Sequence, residues 1–222
     1  MQLNIAMLGP PGAGKGTQAS QLAGPRNVPK ISTGDILREA ARLETEFGRE
    51  VQATMDSGGL VSDEVMIGIV RERLMREDAR EGFVLDGFPR TVAQAEALDA
   101  ILVDRAPLMV LDIAVPSDEL VRRLASRRVC GQCGEIFGDG SGSECVKCGG
   151  ALQQRNDDRE SIVRERLKVY ARNSEPLTSY YRGRLTFAEI DGSRTPDVVE
   201  RLVNETIDRF QGSVELGRSR PM

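Results

Sequence analysis

Histidine is absent from this 222-residue chain, and only four of its 30 basic residues, Lys15, Lys30, Lys147 and Lys168, are lysine. Without histidine, no mechanism that needs a neutral imidazole base near pH 7 is open to it. Aromatic residues make up 4% and the net charge is −4, a poor match to a nucleic-acid binder with stacking platforms and a basic track. No run of 18 apolar residues occurs, so no membrane-spanning helix is expected. Met1 to Asn4 form no signal peptide, because Ile5 to Leu8 runs straight into a glycine loop, and a cytoplasmic location is expected. The four cysteines all lie between 130 and 148, too local for a general disulfide framework. The preference for arginine is mostly a compositional bias. Guanidinium nonetheless forks phosphate oxygens and stays charged when desolvated, so particular positions carry functional weight.

What is present starts with Gly9-Pro10-Pro11-Gly12-Ala13-Gly14-Lys15-Gly16-Thr17. It follows the apolar run Leu3 to Leu8, which reads as a buried parallel strand. It precedes Thr17 to Ala23, which carries no breaker and can open a helix. Strand, glycine loop, lysine and helix together cradle nucleotide phosphates. Glycines let backbone N–H groups turn inward around an anion, and Lys15 supplies a cation. The usual pattern has Ser or Thr directly after the lysine. Here Gly16 intervenes and the hydroxyl is Thr17.

Downstream, Val28 to Ile31 is extended and Ser32 or Thr33 caps a helix from Ile36 to Leu43. A helix at about Glu46 to Ser57 stops at Gly58-Gly59, suited to a left-handed cap. Ser62-Asp63 caps a third helix running to about Glu81. Phe83 to Asp86 is a buried strand ending on a carboxylate, Gly87-Phe88-Pro89-Arg90 is a turn, and Thr91 starts a helix to about Val103. Leu108 to Ala114 is a strand, followed by a helix to about Val129. Asp157 to Ala171 and Glu175 to Tyr181 read as two helices, Leu185 to Ile190 as the last strand. The final helix ends near Phe210, leaving a polar tail. Apolar strands alternating with helices predict an α/β fold with a doubly wound parallel sheet. Its ligand belongs beyond the C-terminal strand ends, where Gly9, Asp86 and Pro116 fall.

Asp86 can hold Mg²⁺, directly or through water; capping a loop is the plainer alternative. Cys130-x2-Cys133 and Cys145-x2-Cys148 are two knuckles separated by eleven residues, fewer than the fifteen to twenty of a common ribbon. Two disulfides or a redox pair compete with a tetrahedral Zn²⁺ site, but a cytoplasmic setting and the paired knuckles favour structural zinc. Arg127 and Arg128 lie before this lobe, Arg155 and Arg166 after it. A lobe flanked by arginines can close over phosphates and exclude water.

The segments GPPGAGKGT at 9–17, STGD at 32–35, LDGFPR at 85–90, RRV at 127–129 and RNDD at 155–158 resemble the adenylate kinase family, over nearly all of residues 1–212. The cysteines look like the zinc lid of part of the bacterial family. The resemblance implies Mg·ATP + AMP ⇌ 2 ADP. It also implies a phosphate-loop core (1–31, 62–125 and 159–212), an AMP-binding flap at 32–61, a lid at 126–158 and a flexible tail at 213–222. Carried over by position, Lys15 and the amides of Gly12, Ala13, Gly14, Gly16 and Thr17 hold the ATP phosphates. Arg127 and Arg155 meet the phosphates from the lid. Arg38, Arg90 and Arg166 grip the AMP phosphate and the group in flight, with Arg155 counted among the AMP contacts. Thr33, Gln94 and the backbone of Gly59, Leu60, Val61, Gly87, Phe88 and Pro89 surround AMP. Arg123, Ile136 and Phe137 adjoin the ATP base, and Arg194 contacts ATP. Relatives often carry lysine where Gly59 stands and a longer stretch between the cysteine pairs, so a trimmed lid tip and altered flap mobility are expected.

Phosphoryl transfer needs alignment and charge neutralisation more than proton transfer, which suits a chain without histidine. The nearest alternative keeps the fold and changes the acceptor to UMP, CMP or another monophosphate; a GTP-dependent variant is another. Thr33 favours the adenylate type. A regulatory GTPase lacks support, because no NKxD-type guanine motif occurs. A zinc-ribbon nucleic-acid binder is disfavoured by the charge balance. A monomer is expected.

Overall fold

The computed structural model describes residues 2–138 and 140–218, with side chains given through 212. Five parallel strands form the central sheet in the order β2-β3-β1-β4-β8: β1 (Leu3–Leu8), β2 (Lys30–Ser32), β3 (Gly82–Asp86), β4 (Leu108–Ala114) and β8 (Phe187–Asp191). Every residue of β1 is buried, as expected for a strand covered on both faces. Alternation sorts its side chains. Ala6 and Leu8 join the core formed with α4 (Asp63–Leu74), α5 (Val92–Ile101) and α7 (Glu160–Arg182). Ile5 and Met7 join the one formed with α1 (Lys15–Ala23) and α8 (Pro196–Arg218). Each fully buried Leu, Ile or Phe contributes about 1.5–3 kcal/mol, so two such layers fix the sheet's register.

The strand after β1, β2, lies at the sheet edge, and β1 itself pairs with β3 on one side and with β4 on the other. The crevice at this switch in winding direction opens beyond the carboxyl end of β1, where the glycine loop sits. Two insertions flank it. One carries α2 (Thr33–Arg42) and α3 (Glu46–Asp56), packed against each other. The other is a three-stranded antiparallel sheet, β6-β5-β7, from β5 (Arg128–Cys130), β6 (Ile136–Phe137) and β7 (Leu152–Gln153), next to α6 (Ser117–Ser126). Ser32, Ser62 and Thr91 cap α2, α4 and α5 with their hydroxyls, and Gly58 turns left-handed (φ 76°) after α3.

Several sequence expectations are corrected. The third helix stops at Leu74, not near Glu81, and a short 3-10 turn, Glu77–Ala79, follows. The segments read as two helices at 157–171 and 175–181 are one helix, α7, with Pro176 inside it. Proline removes an intrahelical bond, yet Val163 before it and Leu177 and Tyr181 after it are all buried, so tertiary packing outweighs the local cost. Side chains of Asn173 and Ser174 bond back to the carbonyls of Val169 and Ala171 in the turn before the proline. The last helix does not end near Phe210 but continues to Arg218, so the tail read as frayed is helical over most of its length; 219–222 lie outside the described residues.

Candidate active site

The glycine loop turns with positive φ at Gly9, Gly12 and Gly14 (129°, 86° and 95°). Gly14 precedes α1 without a side-chain cap, so the first amides of the helix remain open toward the crevice. Lys15 Nζ donates to the carbonyls of Gly9 and Pro10 at 2.7 and 2.8 Å, folded back on its own loop. Desolvation, with the nearby Arg90, Arg166 and Arg127 charges, pushes its pKa down to about 8 against the opposing pull of Asp86.

Asp86 ends β3 in register with Met7 and Ser32. Its closeness explains the unusual Gly16: a β-carbon there would lie 3.1 Å from Asp86 Oδ2 and 3.2 Å from Ile136 Cδ1. A serine or threonine there would press on both the carboxylate and Ile136 of β6, and these side chains would have to give by a few tenths of an ångström. Lys30 Nζ also reaches this turn, donating to the Gly16 carbonyl and to Ser20 Oγ, both at 3.0 Å.

Two adjoining cavities share a wall made by Lys15, Arg38, Arg90 and Arg166, with Gly34 and Gly87. The first also holds Thr33, Gly59, Leu60, Val61, Pro89 and Gln94. The second holds Gly12, Ala13, Gly14, Gly16, Thr17, Asp86, Arg123, Arg127, Ile136, Phe137, Arg155 and Arg194. Two residues fall elsewhere than the acceptor grouping places them. Phe88 is fully buried in the core under the turn, and Arg155 lines the second cavity rather than the first.

Carboxylates organise the arginines. Arg127 donates to both oxygens of Asp158 through Nε and Nη2, and Arg166 meets Asp157 Oδ2 at 2.9 Å and the Asp157 carbonyl at 2.8 Å. Burial works against ionising Asp157, but Arg166, Arg38, Arg127 and Arg155 outweigh it and hold its pKa below the usual carboxylate range. Cations still outweigh anions locally. Desolvation and then Arg166 pull Arg90 down to about 10; desolvation, Arg127 and Arg38 do the same to Arg155. Arg155 Nε is buried without a partner among the described residues. Such a cluster is short of negative charge, which a polyanion would supply. Arg38 pairs with Asp35 at 2.5 Å, Arg123 with Glu119 at 2.9 Å and Arg194 with Asp191 at 2.9 Å.

Thr33 Oγ1 donates to the Gly87 carbonyl at 2.9 Å, tying the α2 insertion to the turn after β3. Arg90 Nε donates to the same carbonyl at 2.8 Å. A β-carbon on Gly87 (φ 87°) would lie 2.8 Å from Thr33 Oγ1, so only glycine allows this junction.

In the lobe, the Sγ atoms of Cys130, Cys133, Cys145 and Cys148 all lie within 4.8 Å of one another. Tetrahedral zinc–thiolate bonds of about 2.3 Å require sulfurs about 3.8 Å apart, so the set fits that ion. The backbone N–H of Cys133, then that of Gln132, pull the Cys130 thiol down to about 6.

The family description "Adenylate kinase" matches this chain over residues 7–185. The chain belongs to the adenylate kinase family. It is 45% identical to the adenylate kinase of Archaeoglobus fulgidus over 94% of this chain and all of that one. It is 47% identical to that of Moorella thermoacetica over 93% and 99% of the two chains. It is 49% identical to that of Bacillus cytotoxicus over 81% and 86%.

Family motifs located the arginines but not what holds them. Asp157 and Asp158 stood in plain view in the RNDD segment; their partners are set by contacts up to 31 residues away. Asp63 reads in the sequence only as part of a helix cap and Lys30 only as a residue of an extended run, so neither points to the site. No helix among the described residues is long and apolar enough to cross a membrane.

Proposed function

We infer that this adenylate kinase transfers the γ-phosphoryl group of Mg·ATP to AMP, giving two ADP, across the wall that its two cavities share. That wall carries the reading: Lys15, Arg38, Arg90 and Arg166 border both cavities, so a group passing from one to the other stays among cations. The loop amides of Gly12 to Thr17 and Lys15 hold the donor phosphates, with Arg123, Ile136, Phe137 and Arg194 around its base and ribose. Arg38, Arg90 and Arg166 hold the acceptor phosphate, and Thr33, Gln94 and the Gly59–Val61 backbone hold its adenine.

The acceptor phosphate oxygen is already anionic and attacks without a general base, which is why a chain with no histidine suffices. The protein's part is in-line alignment and stabilisation of charge on the transferring group. Asp157 and Asp158 keep Arg166 and Arg127 extended over the crevice before substrate arrives, and phosphate oxygens then compete for the same N–H groups. Asp86 faces the loop where Mg²⁺, held through water, would neutralise phosphate charge. Segments 32–61 and 126–158 close over the substrates and keep water from the γ-phosphate.

The four thiolates form a closed structural Zn²⁺ site that staples a lobe with little core of its own. Both cavities are complete within one chain, as a working monomer requires, and a site of four zinc-binding thiolates requires reduced thiols, as the cytoplasm keeps them. A panel of AMP, CMP, UMP and GMP with Mg·ATP tests the acceptor. AMP should be used at least about tenfold better than any other. Preference for a pyrimidine monophosphate would overturn the assignment.

A further inference from the structure

The side-chain amide of Gln94 is held in one orientation. Its Nε2 donates to Asp63 Oδ1 at 2.7 Å, and its Oε1 accepts from the backbone N–H of Arg90 at 2.8 Å. The other oxygen of Asp63 accepts from Thr91 Oγ1 at 2.9 Å, fixing the carboxylate as well. Gln94 is 2% exposed, so water does not replace a lost partner easily. A carboxylate only accepts and a backbone N–H only donates. Turning the amide over would set its oxygen against Asp63 and its NH2 against the Arg90 N–H. Two hydrogen bonds would become two repulsions.

An amide in this orientation has one N–H and one oxygen lone pair left to offer. Their order is fixed by the residues behind them. A 6-aminopurine presents a donor at N6 beside an acceptor at N1, which complements that order. A 6-oxopurine presents the reverse, an acceptor at O6 beside a donor at N1. Discrimination between them therefore depends on whether the amide can turn over.

We propose that Asp63, together with the Arg90 N–H, is a specificity-determining positioning residue that locks Gln94 to read a 6-aminopurine monophosphate and reject a 6-oxopurine one. This rests on the acceptor site assigned above. Asp63 acts through Gln94 and touches no reacting atom. It stands at the start of α4, which otherwise meets the acceptor cavity only through the apolar side chain of Met66.

The test compares kcat/KM for AMP and for IMP, two monophosphates that differ only at this edge, at saturating Mg·ATP. Asp63→Asn replaces the obligate acceptor with a group that can also donate. The IMP/AMP ratio should rise at least about tenfold, through KM for the monophosphates, while KM for ATP stays within about twofold. A general loss of stability lowers both rates and leaves the ratio alone. Should Asp63→Asn fail to fold, Thr91→Ala, which frees one carboxylate oxygen, should move the ratio in the same direction. A ratio unchanged within about twofold in a folded variant overturns the proposal. Failure of the unaltered chain to phosphorylate AMP would instead overturn the acceptor assignment.

Discussion

Arg127 and Asp158 face each other across 31 residues of sequence, both side chains nearly sealed from water (14% and 0% exposed). The pair joins the junction between α6 and β5, where the cysteine-bearing insertion begins, to the 3-10 turn Asn156–Asp158, where it ends. A buried guanidinium stripped of its carboxylate keeps the desolvation cost and loses the attraction. Asp158→Ala should therefore cost about 3–5 kcal/mol, read as a lower urea midpoint at pH 7. An unchanged midpoint would show that the pair adds nothing to the folded state.

Lys15 and Arg90 should separate chemistry from folding. Both border the shared wall, and neither lies in the hydrophobic layers. Lys15→Ala and Arg90→Ala should each lower kcat by several orders of magnitude, with circular dichroism spectra like those of the unaltered chain and no loss of melting temperature, since each removes a charge that burial makes costly. Near-normal turnover in either variant removes that residue from its assigned role.

The pKa of Lys15, lowered from 10.5 to about 8, sets a pH dependence. Between these values the unfolded chain holds a proton that the folded one has released. Lys15 thus adds stability as pH rises through that window and opposes folding below it. Activity moves the other way, because only the ammonium neutralises phosphate. For the free enzyme, kcat/KM for ATP should fall above about pH 8, while kcat holds to higher pH because bound phosphates favour the charged form. A flat kcat/KM profile to pH 9.5 would contradict this.

The four thiols should bind one zinc ion per chain, measured by atomic emission on protein purified without added metal. Cys148→Ser should lose that ion and melt at lower temperature, since metal binding and lobe folding are one equilibrium. Full zinc occupancy in Cys148→Ser would contradict the four-thiolate site.

Much of this was legible in the residues themselves. Leu3 to Leu8, Leu108 to Ala114 and the carboxylate-ended Phe83 to Asp86 carry their burial in their composition, and the glycine loop carries its geometry in its residue types. Where local preference and tertiary packing conflict, the sequence misleads. Arg172 to Ser174 reads as a break between two helices, yet Leu177 and Tyr181 hold α7 continuous by their burial. The Asp157–Arg166, Asp158–Arg127 and Asp63–Gln94 contacts are invisible for another reason. Each joins elements whose approach is fixed by the sheet order, and spacing along the chain does not encode that approach.

The most direct measurement follows ADP produced from ATP and AMP with Mg²⁺. The account predicts two ADP for each AMP consumed, no ADP when AMP is left out, and loss of the reaction in Arg166→Ala. ADP formation independent of AMP, with phosphate released to water, would contradict transfer between two nucleotides that meet at the shared wall.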